Sequence, residues 1–118
     1  MMQFDHEKLS VYQRAIEFIA WCHTLTKEST VQGSIRDQLE RASVSIALNI
    51  AEGNGKSSLK DRQRFLEIAK RSALECAAIL DILYVKTLIR EIEMINGKSI
   101  LSEIVAMLVG LINHCKKR

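Results

Sequence analysis

Apolar residues recur along this chain at alternating steps of four and three, the period of one face of an α-helix. The first row is Val11, Ala15, Phe18, Cys22 and Leu25. Ser10 and Gln13 form a Ser-x-x-Gln pair, and Leu9 stands where a hydrophobic staple would, so a helix is expected to start at Ser10. The period breaks over Lys27 to Gly33, which reads as a loop. A second helix is expected from Ser34, with Asp37 as its capping partner and Leu39, Ala42, Ile46 and Ile50 inward. Gly53 is placed to end it with a positive φ, and Asn54 to Ser57 to form a tight connection. A third helix starts at Ser58, capped with Asp61, carries Leu66, Ala69, Ala73, Cys76, Leu80 and Leu83, and runs to about Val85. A fourth follows Lys86-Thr87 with Met94, Gly97, Leu101, Ile104, Leu108, Leu111 and Cys115 on its seam. Gly97 marks either a close helix approach or a break at Asn96-Gly97. Four amphipathic helices on short connections predict an all-α fold, an up-down-up-down antiparallel four-helix bundle. Residues 1–118 are read as one domain.

Composition narrows this picture. The chain has no proline and five glycines, which excludes a sandwich or barrel built on frequent turns. Hydrophobic residues at 47% exclude a disordered chain. The longest uncharged run, Ile104 to Cys115, has 12 residues, short of the roughly 20 that cross a bilayer, so no membrane is expected. Residues Met1 to Lys8 carry no export signal. Three widely spaced cysteines fit a reducing compartment. A cytoplasmic location follows as the expectation.

Several faces exceed what a lone bundle needs. Ile68, Ile79 and Ile82 lie toward the outer side of the third helix, and Val105, Val109 and Ile112 widen the fourth. Either these helices are broadly buried or a second surface is covered by self-association. On the second helix Arg41, Ser45, Asn49 and Glu52 border the apolar face, with Ser72 and Glu75 as candidate partners. Half-buried polar groups need partners. The set Arg41, Ser45, Asn49, Glu52 and Glu75 reads as a structural polar network or, alternatively, a ligand site.

The segment Gln38-Leu39-Glu40-Arg41-Ala42-Ser43-Val44-Ser45-Ile46-Ala47-Leu48-Asn49-Ile50-Ala51-Glu52-Gly53 resembles the signature of a bacterial family. Its members are four-helix-bundle proteins encoded in intervening sequences of 23S ribosomal RNA genes. Leu9 to Ala15, Arg64 to Ala69 and Ser72 to Glu75 continue the match over nearly the whole chain. The family usually has proline where Ala47 stands and tryptophan where Tyr12 stands; Ala47 should straighten the second helix. The resemblance implies a homopentamer with a positively charged surface and no enzymatic activity. A related accessory protein of diversity-generating retroelements binds nucleic acid and a reverse transcriptase, so RNA, DNA or a reverse transcriptase become candidate partners.

Charge is unevenly spread. Residues 1–52 carry five basic and seven acidic side chains, whereas residues 53–72 carry six basic and two acidic. Residues 73–118 carry six basic and five acidic. Lys60, Arg64 and Arg71 form an outer stripe on the third helix, flanked by Lys56 and Lys70. Lys56, Lys60, Arg64, Lys70 and Arg71 are the candidate nucleic-acid contacts, with Gly53, Gly55 and the start of the third helix as a further anion site. The alternative is a solvated face on which Glu67 pairs with Arg64 and Arg71. Arg62 falls on the seam side and is expected to snorkel outward. Aromatics are scattered, so base stacking is not expected. Lys116-Lys117-Arg118 reads as a solvated helix end.

Catalytic chemistry has no footing in this sequence. Cys22-His23 and His114-Cys115 should lie at opposite poles of an up-down bundle, so no metal site is expected. No Glu-x-x-His, Walker loop or nucleophile elbow occurs. No cofactor is expected. The sequence leads to a non-enzymatic, homo-oligomeric nucleic-acid-binding bundle, RNA being the favoured ligand. Its competitor is a scaffold whose apolar outer faces dock a partner protein such as a reverse transcriptase.

Overall fold

The computed structural model describes residues 4–117; Met1 to Gln3 and Arg118 lie outside the described residues. A 3-10 turn, Asp5–Lys8, leads into four α-helices: α1 Ser10–Glu28, α2 Gly33–Asn54, α3 Leu59–Val85 and α4 Glu91–Lys116. Packing joins α1 to α2, α2 to α3, α3 to α4 and α4 back to α1, which is the square section of an up-down-up-down bundle. The seams meet in one core. Phe18, Leu39, Ile46, Ile50, Leu80, Leu83, Leu101, Ile104 and Leu108 are its largest fully buried members.

Two helix starts differ from expectation. Leu9 is the N-cap of α1, and its side chain cannot accept; Gln13 instead donates from Nε2 to the carbonyl of Glu7 at 2.9 Å. No side chain caps α2 at Gln32 either; the chain enters through Gly33 at φ +69°, a left-handed conformation suited to glycine. At α3 the expected cap is present: Ser58 Oγ accepts from the amide of Asp61 at 3.0 Å. α4 begins at Glu91, a few residues later than read from Lys86-Thr87, and is unbroken through Gly97.

Gly53 does not terminate α2. The helix continues to Asn54, and the capping Gly55 has φ −81°. Space explains the residue: a Cβ on Gly53 would stand 3.0 Å from Cβ of Phe65 and 3.4 Å from the carbonyl of Arg62. The end of α2 crosses the start of α3 at backbone contact. Gly97 plays the same part between α4, Trp21 of α1 and Leu80 of α3. Ala47 is buried within an uninterrupted α2.

The connection from α3 to α4 is a Schellman closure: the amide of Leu88 reaches the carbonyl of Leu83 and that of Thr87 reaches Tyr84, both at 2.9 Å. The left-handed position is filled by Thr87, at φ +59°, rather than by glycine.

Three exposed ion pairs set neighbouring helices in register: Arg14 with Glu103 (2.8 Å), Arg41 with Glu75 (2.9 Å) and Lys98 with Asp81 (2.8 Å). Each contributes well under about 1 kcal/mol at such exposure. α4 has 26 residues and reaches the length and mean apolarity of a bilayer-crossing helix. The count of uncharged residues misses this, because Lys98 and Glu103 interrupt the run. Only 28% of its most apolar stretch is buried in the bundle; Ile92, Ile95 and Val109 face outward.

Candidate nucleic-acid interface

The close α2–α3 crossing at Gly53 folds the connection Gly55 to Ser58 tightly onto the first turns of α3. Arg62 pins it, donating from Nε to the carbonyl of Lys56 at 2.7 Å. Arg62 is thus half-buried and turned back on the connection instead of extending into solvent. Lys56 Nζ then lies 5.2 Å from the centroid of the Phe65 ring, and the Arg64 guanidinium 4.6 Å from it. Both are within cation–π range. A single half-buried ring therefore holds two cations together at the α2–α3 pole. The sequence reading missed Phe65; its place directly after Arg64, on the border of the α3 seam, is the only sign of it in the sequence.

Lys60, Arg64 and Arg71 are exposed, and among the described residues none has a carboxylate within 4.0 Å. At 100° per residue they share one face of α3, extending over roughly 16 Å of its axis. The flanking cations are partly satisfied: Lys56 lies 3.4 Å from Glu52 and Lys70 lies 3.9 Å from Glu67. Glu67 sits on the stripe between Arg64 and Arg71 but pairs with neither. The structure brings Lys56, Lys60 and Arg64 together at the pole, with Lys70 and Arg71 about two turns further along.

The polar set on α2 divides. Ser45 and Ser72 share a hydrogen bond of 2.8 Å, and Asn49 Nδ2 donates to the Ser45 carbonyl (2.8 Å) and hydroxyl (3.0 Å). Arg41 and Glu75 form a separate, outer pair. Glu52 belongs to neither; it is exposed and turns to Lys56. No fully buried side-chain nitrogen or oxygen among the described residues lacks a partner, and the inner three, Ser45, Asn49 and Ser72, are bonded to one another as a structural network.

The apolar outer face requires a correction. Ile79 is 3% exposed, a core residue, and Ile68 is half-buried; of the three, only Ile82 is open, at 44%. Ile79 follows Cys76 by three residues, so it joins the α3 seam, which is wide because α2 and α4 flank it on both sides. Ile112 is likewise buried. The exposed row on α3 is instead Leu74, Ala78, Ile82 and Val85. It continues the line of Lys60, Arg64 and Arg71: the outer face of α3 is basic in its first half and apolar in its second. A further exposed apolar pair, Val44 and Leu48, stands on α2, and Ile16 is exposed on α1.

Among the described residues no three His, Cys, Asp or Glu side chains converge as metal ligands. Cys22, Cys76 and Cys115 are free and buried. Burial pushes the Cys22 thiol well above its ordinary range and the Cys76 thiol up to about 12.

The bundle is similar to the crystal structure of a protein of unknown function from the S23 ribosomal protein family of Bacteroides thetaiotaomicron VPI-5482. That likeness has a TM-score of 0.81 at 24% identity, over 86% of this chain and 97% of that one, and it concerns the fold. No protein of curated function matches the chain. Residues 7–110 match the family described as 23S rRNA-intervening sequence protein, and the chain belongs to that family.

Proposed function

We propose that this chain assembles with copies of itself and binds RNA through backbone phosphates, without catalysing a reaction. One observation carries the reading: Lys60, Arg64 and Arg71 stand on one face of α3, exposed and without an acidic partner among the described residues. Cations satisfied within the fold would be paired as Lys56 and Lys70 are. Lys56 and Lys70 supply secondary contacts, and the ring of Phe65 holds Lys56 and Arg64 in place. The aromatics are scattered along the chain, and the contact is with phosphate rather than with base edges.

Self-association is supported by the apolar surface. Ile16 on α1 and Val44 and Leu48 on α2 are exposed, as are Leu74 and Ile82 on α3 and Val109 on α4. In a square bundle the α1–α2 and α3–α4 faces are opposite each other. Two different faces meeting head to tail generate a ring when the rotation closes. The resemblance to the family implies five subunits. A ring repeats the basic stripe in each subunit and strengthens its field. A cytoplasmic setting accords with this reading.

The test is RNA affinity as a function of salt. Three phosphate contacts per subunit give a log–log slope of roughly −2 to −3 for each subunit engaged. Reversing the stripe with Lys60→Glu and Arg64→Glu should abolish binding at low salt. Binding without a salt slope, or unchanged in that variant, refutes the reading. A second reading rests on the row Leu74, Ile82 and Val85, the last 78% exposed: a partner protein, such as a reverse transcriptase, docks there. It predicts an association that survives high salt and is lost in Ile82→Glu.

A further inference from the structure

At the pole where α1 and α3 begin and α2 and α4 end, the side chains leave a cavity of about 170 Å³. Leu9, Ile50, Leu66 and Leu111 supply its apolar lining, and Arg62 and His114 its polar edge. Apolar space with a few convergent polar groups is the usual build of a small-molecule site. The volume is close to that of an apolar cavity of about 150 Å³ that takes up benzene.

Arg62 gives the cavity its sign. It is half-buried, and among the described residues its one side-chain hydrogen bond is from Nε to the carbonyl of Lys56. No carboxylate of a described residue lies within 4.0 Å of it. Half-buried and with no carboxylate of a described residue beside it, the guanidinium has charge left to offer an anion. Its two terminal nitrogens keep the planar fork that binds a carboxylate through two parallel hydrogen bonds.

We propose that this cavity binds a small organic carboxylate, its hydrocarbon body among Leu9, Ile50, Leu66 and Leu111 and its anionic end on Arg62. The apolar lining disfavours a bare inorganic anion, which would leave that space empty. The site is independent of the basic stripe and does not rest on the RNA reading.

Calorimetric titration of the full chain with benzoate, benzyl alcohol and inorganic phosphate tests it. Benzoate is expected to bind in the millimolar range or somewhat tighter, as its few atoms allow. Benzyl alcohol, which has the ring but not the charge, should bind at least about tenfold more weakly, the weight of a charge-assisted hydrogen bond. Phosphate should be weaker still. Leu111→Trp, which fills the cavity, should remove benzoate binding. Arg62→Met should weaken benzoate at least about tenfold and leave benzyl alcohol unchanged. Lys60→Glu with Arg64→Glu should leave benzoate binding as it was. Equal affinity for benzoate and benzyl alcohol, or benzoate binding that survives Leu111→Trp, overturns the proposal. If Leu111→Trp does not fold, Arg62→Met and the neutral ligand decide it by the same criteria.

Discussion

Replacing Gly97 by alanine should destabilise the bundle, although alanine is the better helix former by roughly 1 kcal/mol. A Cβ at Gly97 would stand 2.5 Å from Cη2 and 2.8 Å from Cζ3 of Trp21, and 2.6 Å from Cδ1 of Leu80. Carbon atoms rest at roughly 3.5–4.0 Å, so a rigid indole and a leucine must both withdraw by about 1 Å. Overpacking of this kind costs roughly 1–3 kcal/mol. Two displaced neighbours, one of them a ring stacked on Phe18, argue for the upper end. Net of helix propensity, the loss is about 2 kcal/mol. Gly110, in the same helix, has nothing within 4 Å of the corresponding position. There the propensity gain stands alone, and Gly110→Ala should stabilise by about 1 kcal/mol. Denaturant unfolding at one fixed protein concentration measures both, since association shifts apparent stability. In a Trp21→Phe background, which removes the two nearest ring atoms, the Gly97→Ala penalty should shrink by about 1 kcal/mol or more. A Gly97→Ala protein stabilised as much as Gly110→Ala would refute the close-approach reasoning.

Thr87 is a β-branched residue held in a left-handed conformation at φ +59°. Thr87→Gly should relieve the strain and raise stability by about 1 kcal/mol, read in the same unfolding assay. Ser58→Ala removes the one side-chain cap at the start of α3 and should cost about 1 kcal/mol. The buried thiols of Cys22 and Cys76, raised by desolvation, should resist iodoacetamide in the folded chain and react in the unfolded one. Because the folded thiols stay neutral while unfolded ones ionise, stability should fall as pH rises above about 8.5. For Cys76 the fall should end near its folded value of about 12; stability that is flat over that window contradicts the burial argument.

Much of the fold is written in periodicity. The seams of α1 and α3, and the Ser58 cap, occupy the positions that spacing assigns. What spacing misses are features that depend on a neighbouring helix. Gly53 resembles a helix terminator by sequence, and only the proximity of Phe65 shows that it clears a crossing instead. Ile79 looks outward on a helical wheel with a narrow seam, and the flanking α2 and α4 bury it. At the candidate site, the run of cations was legible from charge counting. Which cations are paired was not: that depends on Glu52 and Glu67 choosing Lys56 and Lys70 over Arg64 and Arg71. Nor could spacing show the ring of Phe65 between Lys56 and Arg64.

The most direct test of the account is absolute mass by light scattering, at low and high salt, alone and with a mixed RNA pool. The account predicts a mass several times the 13.4 kDa of one chain at both salts, since apolar faces hold the subunits together. It also predicts a further rise with RNA at low salt only. A 13.4 kDa species throughout, or an oligomer whose mass is indifferent to RNA at low salt, would contradict it.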